Sequence, residues 1–150
     1  MEILPDWLPN IHVLLIHFPI VLLTMAFFVH LAELFTKEKL VIKSSNLLYG
    51  AGTLFTLITY LSGRSAVGQL NVPFKAEMTL STHSDMALYT LIFFSVFTSG
   101  KILAFIYGKF NQKIISLIFF LLAVIGMYFL IRTGDLGGKL VYKYGVGTLN

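Results

Sequence analysis

Residues 11–35 read IHVLLIHFPIVLLTMAFFVHLAELF, an apolar run that contains three of the four histidines of the chain. A helix needs roughly 20 apolar residues to cross the hydrocarbon of a bilayer, and this run is long enough. Backbone groups inside lipid must be paired within their own segment, which predicts a helix. The stretch therefore indicates an all-α membrane protein.

The composition agrees with this fold class. Of the 150 residues, 57% are hydrophobic and 12% are charged, whereas soluble domains carry about 25% charged residues. There are no cysteines, so disulfides and thiolate metal sites are excluded. The net charge is +4, but the basic residues are scattered between apolar runs. We interpret them as topology signals rather than a nucleic-acid surface.

Four apolar runs predict four transmembrane helices in one domain, residues 1–150. The spans are expected at about 11–36, 46–63, 83–107 and 113–132. Short loops between them predict an up-down-up-down bundle, and no internal repeat is evident. Residues 134–147 carry five glycines, too many for a stable helix. They are predicted to form a Gly-rich cap on the outer face.

The distribution of Lys and Arg predicts the orientation. One side of the bundle holds six basic residues, and the other holds five. The six are Lys37, Lys39, Lys43, Lys101, Lys109 and Lys113, and the five are Arg64, Lys75, Arg132, Lys139 and Lys143. The larger group lies in short loops near helix ends, where the positive-inside rule applies best. Both termini are therefore expected outside.

Three histidines lie towards the predicted outer face. His12 and His17 are five residues apart on the first helix, about 140° apart around its axis, and Pro19 predicts a kink beside them. His83 belongs to the third helix, which begins either at Pro73 or at a capping box just before His83. Because alternate helices of an up-down bundle are parallel, His12 or His17 should lie near the depth of His83.

Two imidazoles facing each other across a bundle can be the axial ligands of a haem iron. His17 and His83 are the predicted ligands, and His12 is either the substitute ligand or a partner for a propionate. Arg64 and Arg132 end the second and fourth helices, where they could pair with propionates or anchor in headgroups. The alternatives for the histidines are interfacial hydrogen bonding and a zinc or copper site.

His30 and Glu33 lie near the predicted inner end of the first helix. No other predicted helix offers a histidine at that depth, so a second haem there is disfavoured. The two residues are expected to form a polar pair near the inner headgroups. No pair of carboxylates lies within the spans, which gives a proton or cation transporter little support.

The chain resembles the DUF2231 family of small bacterial four-span membrane proteins. The resemblance is carried by His12-Val-Leu-Leu-Ile-His17-Phe-Pro19-Ile, by His83, and by LGGKLVYKYGVG at residues 136–147. It implies the bacterial inner membrane and, because the domain occurs beside cytochrome c and other redox modules, periplasmic-side electron transfer. Val13 stands where the family often has proline, and Tyr144 where it often has histidine.

Two functional hypotheses follow. The first is a membrane-embedded electron carrier that holds one b-type haem by bis-His ligation near the periplasmic face. It would pass electrons between a quinol or a partner subunit and a periplasmic c-type cytochrome. With both axial positions filled, substrate chemistry at the iron is not expected. The second is a cofactor-free structural or anchoring subunit of a larger membrane complex.

Overall fold

The computed structural model describes residues 11–36, 38–68, 72–109 and 113–147, and within these ranges the chain is helical and contains no strand. A 3-10 turn at Phe74–Ala76 leads into the fourth helix. The helices are α1 (Ile11–Leu15), α2 (His17–Glu33), α3 (Lys39–Val67), α4 (Glu77–Ile106) and α5 (Lys113–Tyr142). The predicted all-α class is confirmed.

Three helical segments of the described chain are long and apolar enough to cross a membrane. They are Ile11–Glu33, Phe74–Ile106 and Lys113–Tyr142. These segments expose large apolar side chains on their outer surfaces. Phe28, for example, is 61% exposed. The 29 residues of α3 are long enough, but polar residues make this helix less apolar. Three of the four predicted spans therefore correspond to helices that are both long and apolar. The fourth corresponds to α3, which is long enough but less apolar.

Helices adjacent in sequence pack antiparallel. His12, near the start of the first helix, forms a hydrogen bond with Thr59 near the end of α3. The end of α2 lies beside the start of α3. In the same way His83, early in α4, bonds Thr133 late in α5. We call α1–α3 the first hairpin and α4–α5 the second hairpin. We call the end of the bundle that carries His12 and His83 the histidine end.

The first helix is interrupted only slightly. The break falls at Ile16, which keeps helical angles of φ −59° and ψ −27°. Pro19 has no N–H to donate to the carbonyl of Leu15, which places the missing hydrogen bond at this break.

Two helices begin earlier than predicted. Helix α3 starts at Lys39 rather than near residue 46, because Ile42 and Ser45 are buried against the bundle. Helix α4 follows the 3-10 turn after Pro73, so the alternative of a start at His83 is wrong. His83 lies inside the helix.

The prediction of a Gly-rich cap from residue 134 is wrong for residues 134–142, which continue α5. Burial of Leu136 and Leu140 holds this segment as helix. The helix ends at Tyr142, and Gly145 beyond it has a φ of +67°. The amide of Gly145 donates to the Val141 carbonyl at 3.0 Å, and that of Val146 donates to the Leu140 carbonyl at 2.9 Å. The bond from the left-handed Gly145 back to Val141 is the αL C-cap motif.

Glycines let the paired helices approach closely at mid-bundle. A Cβ on Gly52 would lie 2.6 Å from Cδ2 of Leu23, and Leu23 is fully buried. A Cβ on Gly126 would lie 2.9 Å from Cζ of Phe94, which is also fully buried. Real Cβ atoms do not make contacts this short, so each hairpin needs glycine at its crossing.

The substitution Gly52→Ala is expected to destabilise the bundle by about 1–3 kcal/mol, the usual range for overpacking. The Leu23 side chain can shift, but its backbone nitrogen would still lie 3.3 Å from the new methyl group. The matched control is Gly50→Ala, because a Cβ on Gly50 meets nothing within 4 Å. Helix propensity alone should stabilise that variant by up to about 1 kcal/mol. Thermal unfolding in nanodiscs measures both, and equal unfolding temperatures for the two variants would contradict the crossing.

Candidate functional site

At the histidine end, His12 is anchored by the last turns of α3. Its Nδ1 lies 3.1 Å from the Thr59 carbonyl oxygen and 3.0 Å from the Ser62 hydroxyl. A carbonyl oxygen can only accept, so Nδ1 carries the proton. The neutral ring then has its lone pair on Nε2, and within the described residues no partner for Nε2 is found.

His83 is anchored in the same way by α5. Its Nδ1 lies 3.1 Å from the carbonyl oxygen of Thr133, and the Thr133 hydroxyl is 2.9 Å from that of Thr90. The carbonyl again assigns the proton to Nδ1 and the lone pair to Nε2. Histidines that bind a metal through Nε2 usually donate their Nδ1–H to a carbonyl or carboxylate. His12 and His83 both have this arrangement.

Each ring also lies against a glycine of the facing helix. A Cβ on Gly63 would be 2.8 Å from Cε1 of His12, and a Cβ on Gly137 would be 3.2 Å from Cε1 of His83. A Cβ on Gly63 would force the His12 ring to shift, and a Cβ on Gly137 would displace the His83 ring by a few tenths of an ångström. Glycine and carbonyl together fix the height and the tilt of each ring.

The two hairpins repeat one contact pattern. In each, the accepting threonine lies four residues before the glycine. In each, the mid-bundle contact lies 11 residues along both helices from the histidine contact. The corresponding pairs are His12 with Gly63 and Leu23 with Gly52 in the first hairpin, and His83 with Gly137 and Phe94 with Gly126 in the second. The repeat that the sequence did not reveal is therefore present in the contacts.

His12 and His83 lie at the same end of the bundle, each anchored to the following helix of its own hairpin, and His17 has no such anchor in the described residues. His17 is exposed, and its Nδ1 lies 3.4 Å from the carbonyl of Leu14 in its own segment. Of the two candidates on the first helix, His12 has the inward position.

The two predicted propionate partners lie at the surface of the histidine end. Arg64 is exposed, with Nη1 3.5 Å from the hydroxyl of Tyr60. Arg132 is half-exposed, with Nη1 2.7 Å from Oδ2 of Asp135. The same oxygen accepts from Lys139 at 2.8 Å. Arg132 is thus already paired within α5.

A second polar site, the Lys101 cluster, is buried towards the other end of the bundle. The ammonium of Lys101 contacts both carboxylate oxygens of Glu33, at 3.0 and 3.1 Å. It also contacts Ser45 Oγ at 3.1 Å and Asn46 Oδ1 at 2.9 Å. Lys101 is completely buried, and Glu33 is 6% exposed.

His30 and Tyr49 complete the Lys101 cluster. Nε2 of His30 is 4.0 Å from Oε2 of Glu33, and its Nδ1 is 3.4 Å from the Tyr49 hydroxyl. His30 is completely buried, with its ring 5.7 Å from that of Phe120. The predicted pairing of His30 with Glu33 is present, and the pair is buried in the bundle.

Comparison with known families places the chain. Residues 8–150 match the family described as "Predicted membrane protein (DUF2231)". The chain belongs to this family. Comparisons with curated proteins and with solved structures find no match. Family membership therefore establishes a membrane protein, and the chemistry has to be argued from the residues.

In this DUF2231 protein the sequence prediction missed Lys101. Lys101 was assigned to a basic loop, but it lies within α4 and pairs with Glu33 of α2. Without it, the basic residues number five on each side, so the count alone favours neither orientation. The sequence did contain a signal for this pair. The predicted span 11–36 includes the negative Glu33, and the predicted span 83–107 includes the positive Lys101.

Metal binding by three or more side chains is not supported in this DUF2231 protein. Within the described ranges no group of three or more His, Asp or Glu residues could hold a metal ion. The zinc or copper alternative, which needs His12, His17 and His83 together, therefore has no geometric basis there. The His12–His83 pair is the arrangement that remains.

Replacing either partner of the buried ion pair should strongly destabilise this DUF2231 protein. Glu33→Gln or Lys101→Met alone leaves a buried charge without its partner, which typically costs about 3–5 kcal/mol. The double variant leaves neither charge and should lose clearly less than the sum of the two. Denaturant titration of the free energy of unfolding in micelles measures this cycle. Asp135→Asn, which removes two exposed ion pairs, should change little. Additive single losses at Glu33 and Lys101 would contradict the pairing.

Proposed function

We propose that the chain is a membrane-embedded electron carrier that holds one b-type haem between His12 and His83. The observation that carries the proposal is the matched anchoring of the two rings. Each donates Nδ1–H to a backbone carbonyl of the facing helix and keeps its Nε2 lone pair for a ligand. The two rings come from different hairpins, so one residue of each hairpin would hold the haem.

The donor set fits a haem better than a bare metal ion. The two neutral imidazoles of His12 and His83 would suffice to hold a haem iron, whereas zinc would need further protein ligands. When bound, the haem supplies one-electron exchange. Thr59, Ser62 and Thr133 orient the rings, and Gly63 and Gly137 leave them room. With His12 and His83 both holding the haem, the chain would be an electron-transfer protein or subunit rather than a stand-alone enzyme.

The ligand assignment changes from the sequence prediction in one residue. His17 was predicted with His83, but its exposed position makes it a surface residue of the first helix. His12 takes its place in the proposal. Arg64 remains available to a propionate, whereas the Arg132 guanidinium is already engaged by Asp135.

We further propose that α3 is a fourth span of an up-down-up-down bundle. With 29 residues it is about 43 Å long. The starts of α1 and α4 lie at the same end, so the chain must return along α3 between them. An even number of spans puts both termini on one side. We place them outside, in the periplasm of a bacterial inner membrane, because Lys39, Lys109 and Lys113 closely flank helix ends on the other side.

The proposed partners follow from this location. A quinol in the bilayer or a partner subunit would donate electrons, and a periplasmic c-type cytochrome would accept them. The histidine end would be the side at which electrons leave.

The second candidate is a cofactor-free structural or anchoring subunit. A groove of about 320 Å³ between α3 and α4 favours it. Small side chains, among them Gly50, Ser95 and Thr98, line this groove on the outside of the bundle. Such surfaces allow the helix of a partner to approach closely.

An absorption spectrum of the purified protein tests the proposal. Protein produced with haem supplied should show the Soret and α bands of a low-spin b-type haem on reduction. His12→Ala and His83→Ala should each abolish low-spin ligation, because each removes one axial ligand. His17→Ala is the matched control and should retain the spectrum.

A folded preparation that stays colourless when haem is supplied would favour the structural subunit instead. Loss of the bands in His17→Ala but not in His12→Ala would contradict the ligand assignment while leaving the haem proposal intact.

A further inference from the structure

The ammonium group of Lys101 is surrounded by oxygen atoms of the other hairpin. Four oxygens lie 2.9–3.1 Å from Nζ: two from Glu33 on α2, and one each from Ser45 and Asn46 on α3. Lys101 itself belongs to α4. The first hairpin therefore supplies all four of these oxygens, and the second hairpin inserts a cation among them.

Carboxylate, amide and hydroxyl oxygens are the ligands that hard cations prefer in proteins. Oxygen distances near 3 Å suit an ammonium ion or a potassium ion. From this arrangement we propose that Glu33, Ser45 and Asn46 form a monovalent cation-binding site, which the tethered ammonium of Lys101 fills in this chain.

The neutral ligands distinguish this site from a simple ion pair. Glu33 alone would neutralise Lys101, yet adjacent residues of α3 also direct Oγ of Ser45 and Oδ1 of Asn46 at the same nitrogen. The ring of Tyr49 adds a cation–π contact, with its centroid 5.6 Å from Nζ. All of these groups are at most 9% exposed.

The charge of the site selects a monovalent ion. Glu33 provides one negative charge, and the nearby titratable groups, His30 and Tyr49, add none when neutral. A divalent ion would leave a net positive charge in a medium of low dielectric constant, which is unfavourable. Ions the size of ammonium or potassium match both the charge and the distances.

The variant Lys101→Ala tests the site, because it removes the tethered ammonium and keeps every oxygen ligand. In nanodiscs, its unfolding temperature should rise with the concentration of ammonium or potassium chloride and then reach a plateau. Tetramethylammonium chloride at the same ionic strength should give no such rise, because this cation is too large and donates no hydrogen bond. The wild-type protein should show no difference among the three salts, since Lys101 fills its site.

The double variant Glu33→Gln with Lys101→Ala is the matched control. It has the same shortened side chain at position 101 but lacks the carboxylate, so it should fold without any cation-specific rise. Equal unfolding temperatures of Lys101→Ala in all three salts would overturn the proposal and leave an ion pair only. Failure of Lys101→Ala to fold in ammonium or potassium, with the double variant folded, would overturn it as well. None of these measurements depends on haem.

Discussion

The contact on which the bundle depends is an imidazole ring lying against a glycine of the facing helix, made once in each hairpin. The ring needs the space that Gly63 or Gly137 leaves, and its Nδ1–H needs the helix carbonyl four residues before that glycine as an acceptor. The two requirements fix the register of each helix pair. They also determine which ring nitrogen carries the proton, and hence which nitrogen can bind a ligand. The proposed haem site follows from that register.

The two hairpins contribute equivalent residues at one end of the bundle and different residues at the other. At the histidine end the hairpins contribute like residues, His12 and His83. Further along, Leu23 and Phe94 are again equivalent, and both are fully buried. At the Lys101 cluster this equivalence is lost, because the first hairpin supplies the acceptor oxygens and the second hairpin supplies the cation. A buried charge in a membrane protein requires such a partner, so this end is specific for one pairing of hairpins.

Hydropathy predicted the helices well because lipid allows few alternatives to them. It predicted their ends less well, since the ends are decided by contacts. From the sequence alone, Gly137 predicts the end of a helix. In the structure it lies within α5, where the absence of a side chain leaves room for the His83 ring. Leu136 and Leu140 keep the rest of that segment helical through burial. Likewise, Lys101 resembles a loop charge until Glu33 is placed beside it.

The candidate site was half predictable. The helix count predicted a histidine of residues 11–35 at the end of the bundle that carries His83, and His12 lies at that end. The choice between His12 and His17 depends on which one reaches the carbonyl of Thr59, and the sequence alone does not contain that distance. The internal repeat was not visible in the sequence, because equivalent positions hold different side chains, such as Leu23 and Phe94.

The most direct measurement of this account is solid-state NMR of the protein in bilayers with ¹⁵N,¹³C-labelled histidine and glycine, assigned with single-histidine variants. The account predicts that His12 and His83 are neutral rings protonated on Nδ1 near neutral pH. It also predicts through-space correlations from the His12 ring to Gly63 and from the His83 ring to Gly137. Rings protonated on Nε2, or a ring from His17 in contact with Gly63, would contradict it.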